Sequence, residues 1–159
     1  MKKGIALLLV CLLMLLSGCG SEKIEETEEV DPSAVETTMI DDTEYDVIST
    51  EEELRSIGGT LPLSGNYVLG NDITLTEEWT PLGSEDEPFT GRFEGNGYVI
   101  RDLKVNGKEA DQGFFRASDG ARIHDLILED TEISAVNFFP IVRNAVDTEI
   151  EGCQVDQKS

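Results

Sequence analysis

Between Ile100 and Val155 one arrangement of apolar and polar positions occurs three times. Ile100-Arg101-Asp102-Leu103-Lys104-Val105 returns as Ile123-His124-Asp125-Leu126-Ile127-Leu128, and again as Ile150-Glu151-Gly152-Cys153-Gln154-Val155. The offsets are 123 − 100 = 23 and 150 − 123 = 27 residues. A period in this range marks a solenoid, in which each repeat is one coil stacked on the coil before it. Positions one, four and six of each hexad are apolar, and the last two alternate as a strand does. This pattern predicts a core containing Ile100, Leu103, Val105, Ile123, Leu126, Leu128, Ile150, Cys153 and Val155. Position two is Arg101, His124 and Glu151, three unlike polar residues, which predicts a solvent-facing site. Position three is Asp102, Asp125 and Gly152. These residue types tolerate a left-handed backbone, glycine most of all, so this position reads as a corner between two strands. The three corners are expected to stack at one angle of the coil.

Upstream of the hexads the signals remain β. Tyr67-Val68-Leu69 and Ile73-Thr74-Leu75 flank the turn cluster Gly70-Asn71-Asp72. Phe89, Phe93, Tyr98 and Ile100 are apolar anchors between Gly91, Gly95 and Gly97, and Asn96-Gly97 is a tight-turn dipeptide. The one helix predicted covers residues 45–57. Thr50 with Glu53, or Ser49 with Glu52, fits a capping box, and Gly58-Gly59 stops the run. A helix this short needs a surface to dock on, and the open end of a solenoid supplies one.

The N-terminal part has a different character. Lys2 and Lys3 precede an apolar run over residues 5–16, which has signal-peptide length and falls short of a membrane span. The run ends Leu16-Ser17-Gly18-Cys19, which resembles the lipobox of bacterial lipoproteins. That resemblance implies diacylglycerol on Cys19, cleavage after residue 18, and stable anchoring by two acyl chains. An ordinary secretory leader or an uncleaved anchor is the alternative. Residues 19–44 then read as an acidic, disordered tether, with Lys23 its only basic residue and no apolar period. The rival reading is an acidic interaction tail. Residues 45–159 form the remaining domain.

Charge narrows the partners. The chain carries 33 acidic and 12 basic residues, a net charge of −21. Such a surface repels nucleic acid, anionic membrane, and polyanionic glycan that no cation bridges. The cysteines Cys11, Cys19 and Cys153 imply no disulfide framework. Cys153 replaces Leu103 and Leu126 in the hexad, as a small buried hydrophobe or else a reactive thiol. His124 is the sole histidine. It is either an acid–base group or ligand, or a solvated residue; its equivalents Arg101 and Glu151 favour the solvated role. Asp102 and Asp125 fit turn-forming residues or a calcium pair; the glycine in the third repeat favours turns.

The stretch 67–75, then Trp79-Thr80-Pro81-Leu82-Gly83, then Phe89-Thr90-Gly91-Arg92-Phe93-Glu94-Gly95-Asn96-Gly97-Tyr98-Val99-Ile100, resembles bacterial surface proteins with GLUG motifs. The GLUG element itself would fall at Gly113-Phe114-Phe115-Arg116, which lacks its second glycine, and at Asn137-Phe138-Phe139-Pro140, which lacks both. The resemblance implies a short right-handed parallel β-helix of the pectin-lyase-like type, here with three to four coils and an N-terminal capping helix. It implies a surface binding or adhesive role toward a glycan or a protein, and brings no catalytic residues, metal or cofactor. A leucine-rich repeat competes for Ile123-x-x-Leu126-x-Leu128, but Lys108 and Lys158 stand where its buried asparagine ladder would be. Three functions follow: a non-enzymatic surface lipoprotein, a fragment of a longer adhesin, or a carbohydrate-active enzyme. The last needs paired acid–base groups across a groove, and no such pair recurs in register. The polar tail 156–159 cannot cap a coil, so the C-terminal edge is expected to pair with another chain or to fray.

Overall fold

The computed structural model describes residues 35–106, 113–134 and 139–158. Their elements are β1 Thr37–Ile40, β2 Thr43–Ile48, α1 Glu51–Ser56, β3 Asn66–Leu69, β4 Ile73–Thr74, β5 Arg92–Glu94, β6 Val99–Arg101, β7 Lys104–Asn106, β8 Phe115–Asp119, β9 Arg122–His124, β10 Ile127–Ser134, β11 Val142–Val146, β12 Glu149–Glu151 and β13 Gln154–Gln157. The fold is mostly β, built of parallel sheets. The first sheet runs β1-β2-β3-β5-β9-β12, the second β13-β10-β6-β4 with β7 also on β10, and the third β11-β8. Among the described strands only β1, on β2, pairs antiparallel. From β5 onward the chain visits the three sheets in one cyclic order, so each strand lies on its counterpart one repeat earlier. The first sheet holds five parallel rungs, β2, β3, β5, β9 and β12, and the second four, β4, β6, β10 and β13.

The register corrects the hexad alignment. Ile123 stacks on Ile150 as expected, but its partner on the other side is Phe93, not Ile100. Ile100 lies in the second sheet, between Ile73 and Leu128. The true spacing is therefore 30 residues from Phe93 to Ile123 and 27 from Ile123 to Ile150. The apparent 23-residue offset matched two different turns, one between β6 and β7 and one between β9 and β10. Asp125 and Gly152 share a corner, with φ of 49° and 66°. Gly152 lies against the Asp125 carboxylate. Asp102 has the same left-handed backbone, φ 57°, but separates β6 from β7. It stacks near Asp130, φ 52°, which divides β10 into the halves that meet β6 and β7. Asp102 and Asp125 each turn the chain, and they do not form one cation site.

The second correction lies at the N-terminal edge. Thr37–Ile40 and Thr43–Ile48 form a hairpin, so the stretch assigned to the tether up to residue 44 joins the first sheet from Thr37. Asp41 and Asp42, with φ of 47° and 60°, make its two-residue turn, the geometry whose twist suits a hairpin. Tyr45 to Ile48 is strand, and the helix is confined to Glu51–Ser56. Thr50 caps it: its Oγ1 accepts from the Glu53 amide at 3.2 Å, and the Glu53 carboxylate accepts from the Thr50 amide at 3.0 Å. The helix buries Leu54 in the core. It is fastened beside the first rung of the second sheet, where Thr76 donates from its amide and hydroxyl to Glu51. Arg55 donates to the carbonyls of Glu77 and Glu78.

The core fills the space between the sheets. Tyr67, Phe93 and Ile123 form one inward column, and Ile73, Ile100 and Leu128 another; all are buried. Phe114 stacks on Trp79, ring centroids 4.8 Å apart, and accepts the indole N–H on its carbonyl at 3.0 Å. Such aromatic pairs contribute about 0.5–1.5 kcal/mol beyond the area they bury.

Candidate functional site

The last rung differs from all the others. Ile100, Leu103, Val105, Ile123, Leu126 and Leu128 are buried as the sequence predicts. Ile150 is not: it is 40% exposed, against 0% for Ile123 in the same column. Cys153 and Val155 are only partly buried. Among the described residues, β11, β12 and β13 each pair on one side alone. Their inward side chains accordingly lack the cover that a further rung supplies. At the opposite end of the first sheet the terminal strand is β1, paired antiparallel on β2. Side chains tie the terminal rung inward: Thr131 Oγ1 donates to the Asp156 carbonyl at 2.8 Å, and Ser118 and Thr148 share a hydrogen bond of 2.9 Å.

Cys153 belongs to this rung. Its thiol lies 3.4 Å from the Glu151 carbonyl and 3.6 Å from that of Ile123. Burial pushes the thiol pKa up, the Leu126 amide opposing and Asp125 and Glu94 adding to the rise. A raised pKa leaves less thiolate at any given pH, and the thiolate is the nucleophile. Iodoacetamide should therefore modify the Cys153 peptide more slowly than a free cysteine at pH 7, with a pH–rate curve displaced to the alkaline side. Mass spectrometry of that peptide measures it; a rate equal to free cysteine would contradict the burial.

On the outer face of the first sheet the register builds two columns that are polar except at Val68. One is Asn66, Arg92, Arg122 and Glu149; the other is Val68, Glu94, His124 and Glu151. The sequence predicted Arg101, His124 and Glu151 facing water. Glu151 is exposed, but Arg101 and His124 are half-buried. Arg101 lies between Asp72 and Glu129, at 2.8 and 3.0 Å. The His124 side chain is 21% exposed because its ring is held between carboxylates of both neighbouring rungs. Nδ1 lies 3.7 Å from Glu94 Oε1 and Nε2 lies 3.8 Å from Glu149 Oε1. Both distances exceed a hydrogen bond. The far oxygen of Glu149 accepts from Arg122 Nε at 2.8 Å. Burial, the largest influence, raises the Glu94 carboxyl above its ordinary range; His124 opposes this and Asp125 reinforces it. No local pattern marks this cluster, because its members come from three strands spaced 27 to 30 residues apart.

The remaining expectations fall elsewhere. Cys19, the leader over residues 1–18 and the tether before residue 35 lie outside the described residues. Among the described residues no helix is long and apolar enough to cross a membrane. Glu85 of the acidic loop pairs with Arg143 at 2.6 Å. Gly113, Phe114 and Phe115 are buried, and β8 begins at Phe115, so the first GLUG-like stretch enters a core strand. Comparison of the chain with protein-family models, with curated proteins and with solved structures finds no match.

Proposed function

We propose that the chain is a membrane-anchored cell-surface lipoprotein, held through lipid on Cys19, whose right-handed parallel β-helix is a non-enzymatic binding module. Its partner is a surface protein, a surface glycan or a second copy of the chain. The observation that carries this reading is the uncovered terminal rung, with Ile150 40% exposed directly beneath a fully buried Ile123. An edge of unpaired N–H and C=O groups over apolar side chains accepts a strand from another chain, with main-chain hydrogen bonds supplying affinity. Self-pairing of the β12 edge with that of a second copy would be end to end about a two-fold axis, a contact that closes at the dimer. Glu149 and Glu151 would lie near the same carboxylates of the second copy there, so association should strengthen as salt screens them.

Sedimentation and hydrogen exchange on residues 20–159 test the proposal. The expected result is association that grows with concentration or with added partner, together with new protection of the β12 and β13 amides. A monomer at every concentration, with those amides already fully protected, would overturn it.

A further inference from the structure

We propose that His124, Glu149 and Glu151 bind a first-row divalent transition metal ion of the Zn²⁺ class. Each residue offers one ligand atom, and the three atoms lie within 4.8 Å of one another. A second observation is independent of that clustering. Nε2 of His124 is buried and has no hydrogen-bond partner, whereas buried polar atoms are ordinarily satisfied. The surroundings account for such a nitrogen. On the far side of the ring, Nδ1 faces the Glu94 carboxylate at 3.7 Å. Metal binding at Nε2 would place the imidazole proton on Nδ1, facing the Glu94 carboxylate, the arrangement that orients metal-bound imidazoles. Arg122 engages Oε2 of Glu149, which leaves Oε1, 3.8 Å from Nε2, to act as ligand. Glu151 stacks directly on His124 from the next rung.

Around a metal with bonds of about 2.0–2.2 Å, ligand atoms stand closer together than here. Glu149 and Glu151 are exposed on the terminal rung, so rotation of their side chains closes the set without moving backbone. One imidazole with two carboxylates suits Zn²⁺ and its neighbours, whereas Ca²⁺ and Mg²⁺ prefer oxygen alone. Three protein ligands leave a fourth position for water or for a group from a partner. A metal here would also clamp β12 to β9. The inference stands apart from the binding role proposed above, and its test does not depend on any partner.

His124 is the sole histidine, so the imidazole ¹⁵N resonances of the full-length chain, purified in detergent without a histidine tag and stripped with EDTA, report this site alone. Titration with Zn²⁺ should move the Nε2 resonance and saturate at one equivalent, with Nδ1 remaining protonated. Ca²⁺ at the same concentration should leave it in place. His124→Ala and Glu151→Gln should each weaken Zn²⁺ binding by at least tenfold, and Glu94→Gln by about 10–100-fold through the ring orientation. Three results would overturn the site: an Nε2 resonance unmoved by millimolar Zn²⁺, an equal shift with Ca²⁺, or undiminished affinity in His124→Ala. The first result needs no variant, so a misfolded mutant cannot obscure the outcome.

Discussion

Truncating Ile123 to alanine should cost about 2–5 kcal/mol of unfolding free energy, while the same truncation at Ile150 should cost about 1 kcal/mol or less. The two residues occupy one column of the first sheet, directly paired, with the same side chain. Their difference lies in what covers them. Ile123 is enclosed by Phe93 on one side and Ile150 on the other, and is 0% exposed. Its removal leaves a cavity that rungs on both sides prevent from collapsing. Ile150 is 40% exposed and covered from one side, so truncation there gives up less buried area and creates no closed void. Urea denaturation followed by circular dichroism measures both. Equal losses in dilute protein would mean that the terminal rung is covered after all. If a second chain covers it, the Ile150→Ala cost should grow with protein concentration while the Ile123→Ala cost stays fixed.

The same contrast explains how much of the molecule was legible in its sequence. Local signals were read well. Thr50 and Glu53 do form a capping box, Asn96 and Gly97 do turn with positive φ, and Asp125 and Gly152 do share a left-handed corner. Each depends on neighbours within a few residues. The failures depend on stacking across 26 to 30 residues. The hexad headed by Ile100 and the one headed by Ile123 carry the same apolar spacing because both describe a strand, an Asp corner and a second strand. Local chemistry cannot say which two sheets each corner joins. The His124 cluster was missed for the same reason, since Glu94 becomes its neighbour only once the 30-residue spacing is known. The strand β1 was missed for a different one. It buries almost nothing, so it carries no apolar alternation, and its acidic flank reads as tether. The pair Asp41-Asp42 between Thr- and Ile-containing runs was the one available signal for a hairpin.

Gly95→Ala should be among the most damaging single methyl additions in the domain, with a loss above about 4 kcal/mol. A Cβ on Gly95 would stand 1.9 Å from the Asp125 carbonyl oxygen and 2.5 Å from its carbon. Both are backbone atoms of the next rung, held by the 2.8 Å hydrogen bond from the Gly95 amide to the His124 carbonyl. No side-chain rotation relieves the contact, so the rungs must separate at the corner. Gly97→Ala is the control two residues away. A Cβ there meets nothing within 4 Å, and only the φ of 79° opposes it. Its cost should be confined to the left-handed backbone penalty, about 1–2 kcal/mol. Thermal and urea unfolding of the two variants separate steric contact from backbone conformation as the reason for glycine in this turn. Displacing Asp125 also carries His124 away from Glu94, since the corner residue follows His124 directly and Glu94 precedes Gly95. In any Gly95→Ala protein that still folds, Zn²⁺ should therefore move the His124 resonance less than in Gly97→Ala. A Gly95→Ala chain as stable as Gly97→Ala would show that the two rungs do not approach as closely at this corner as the stacked register requires.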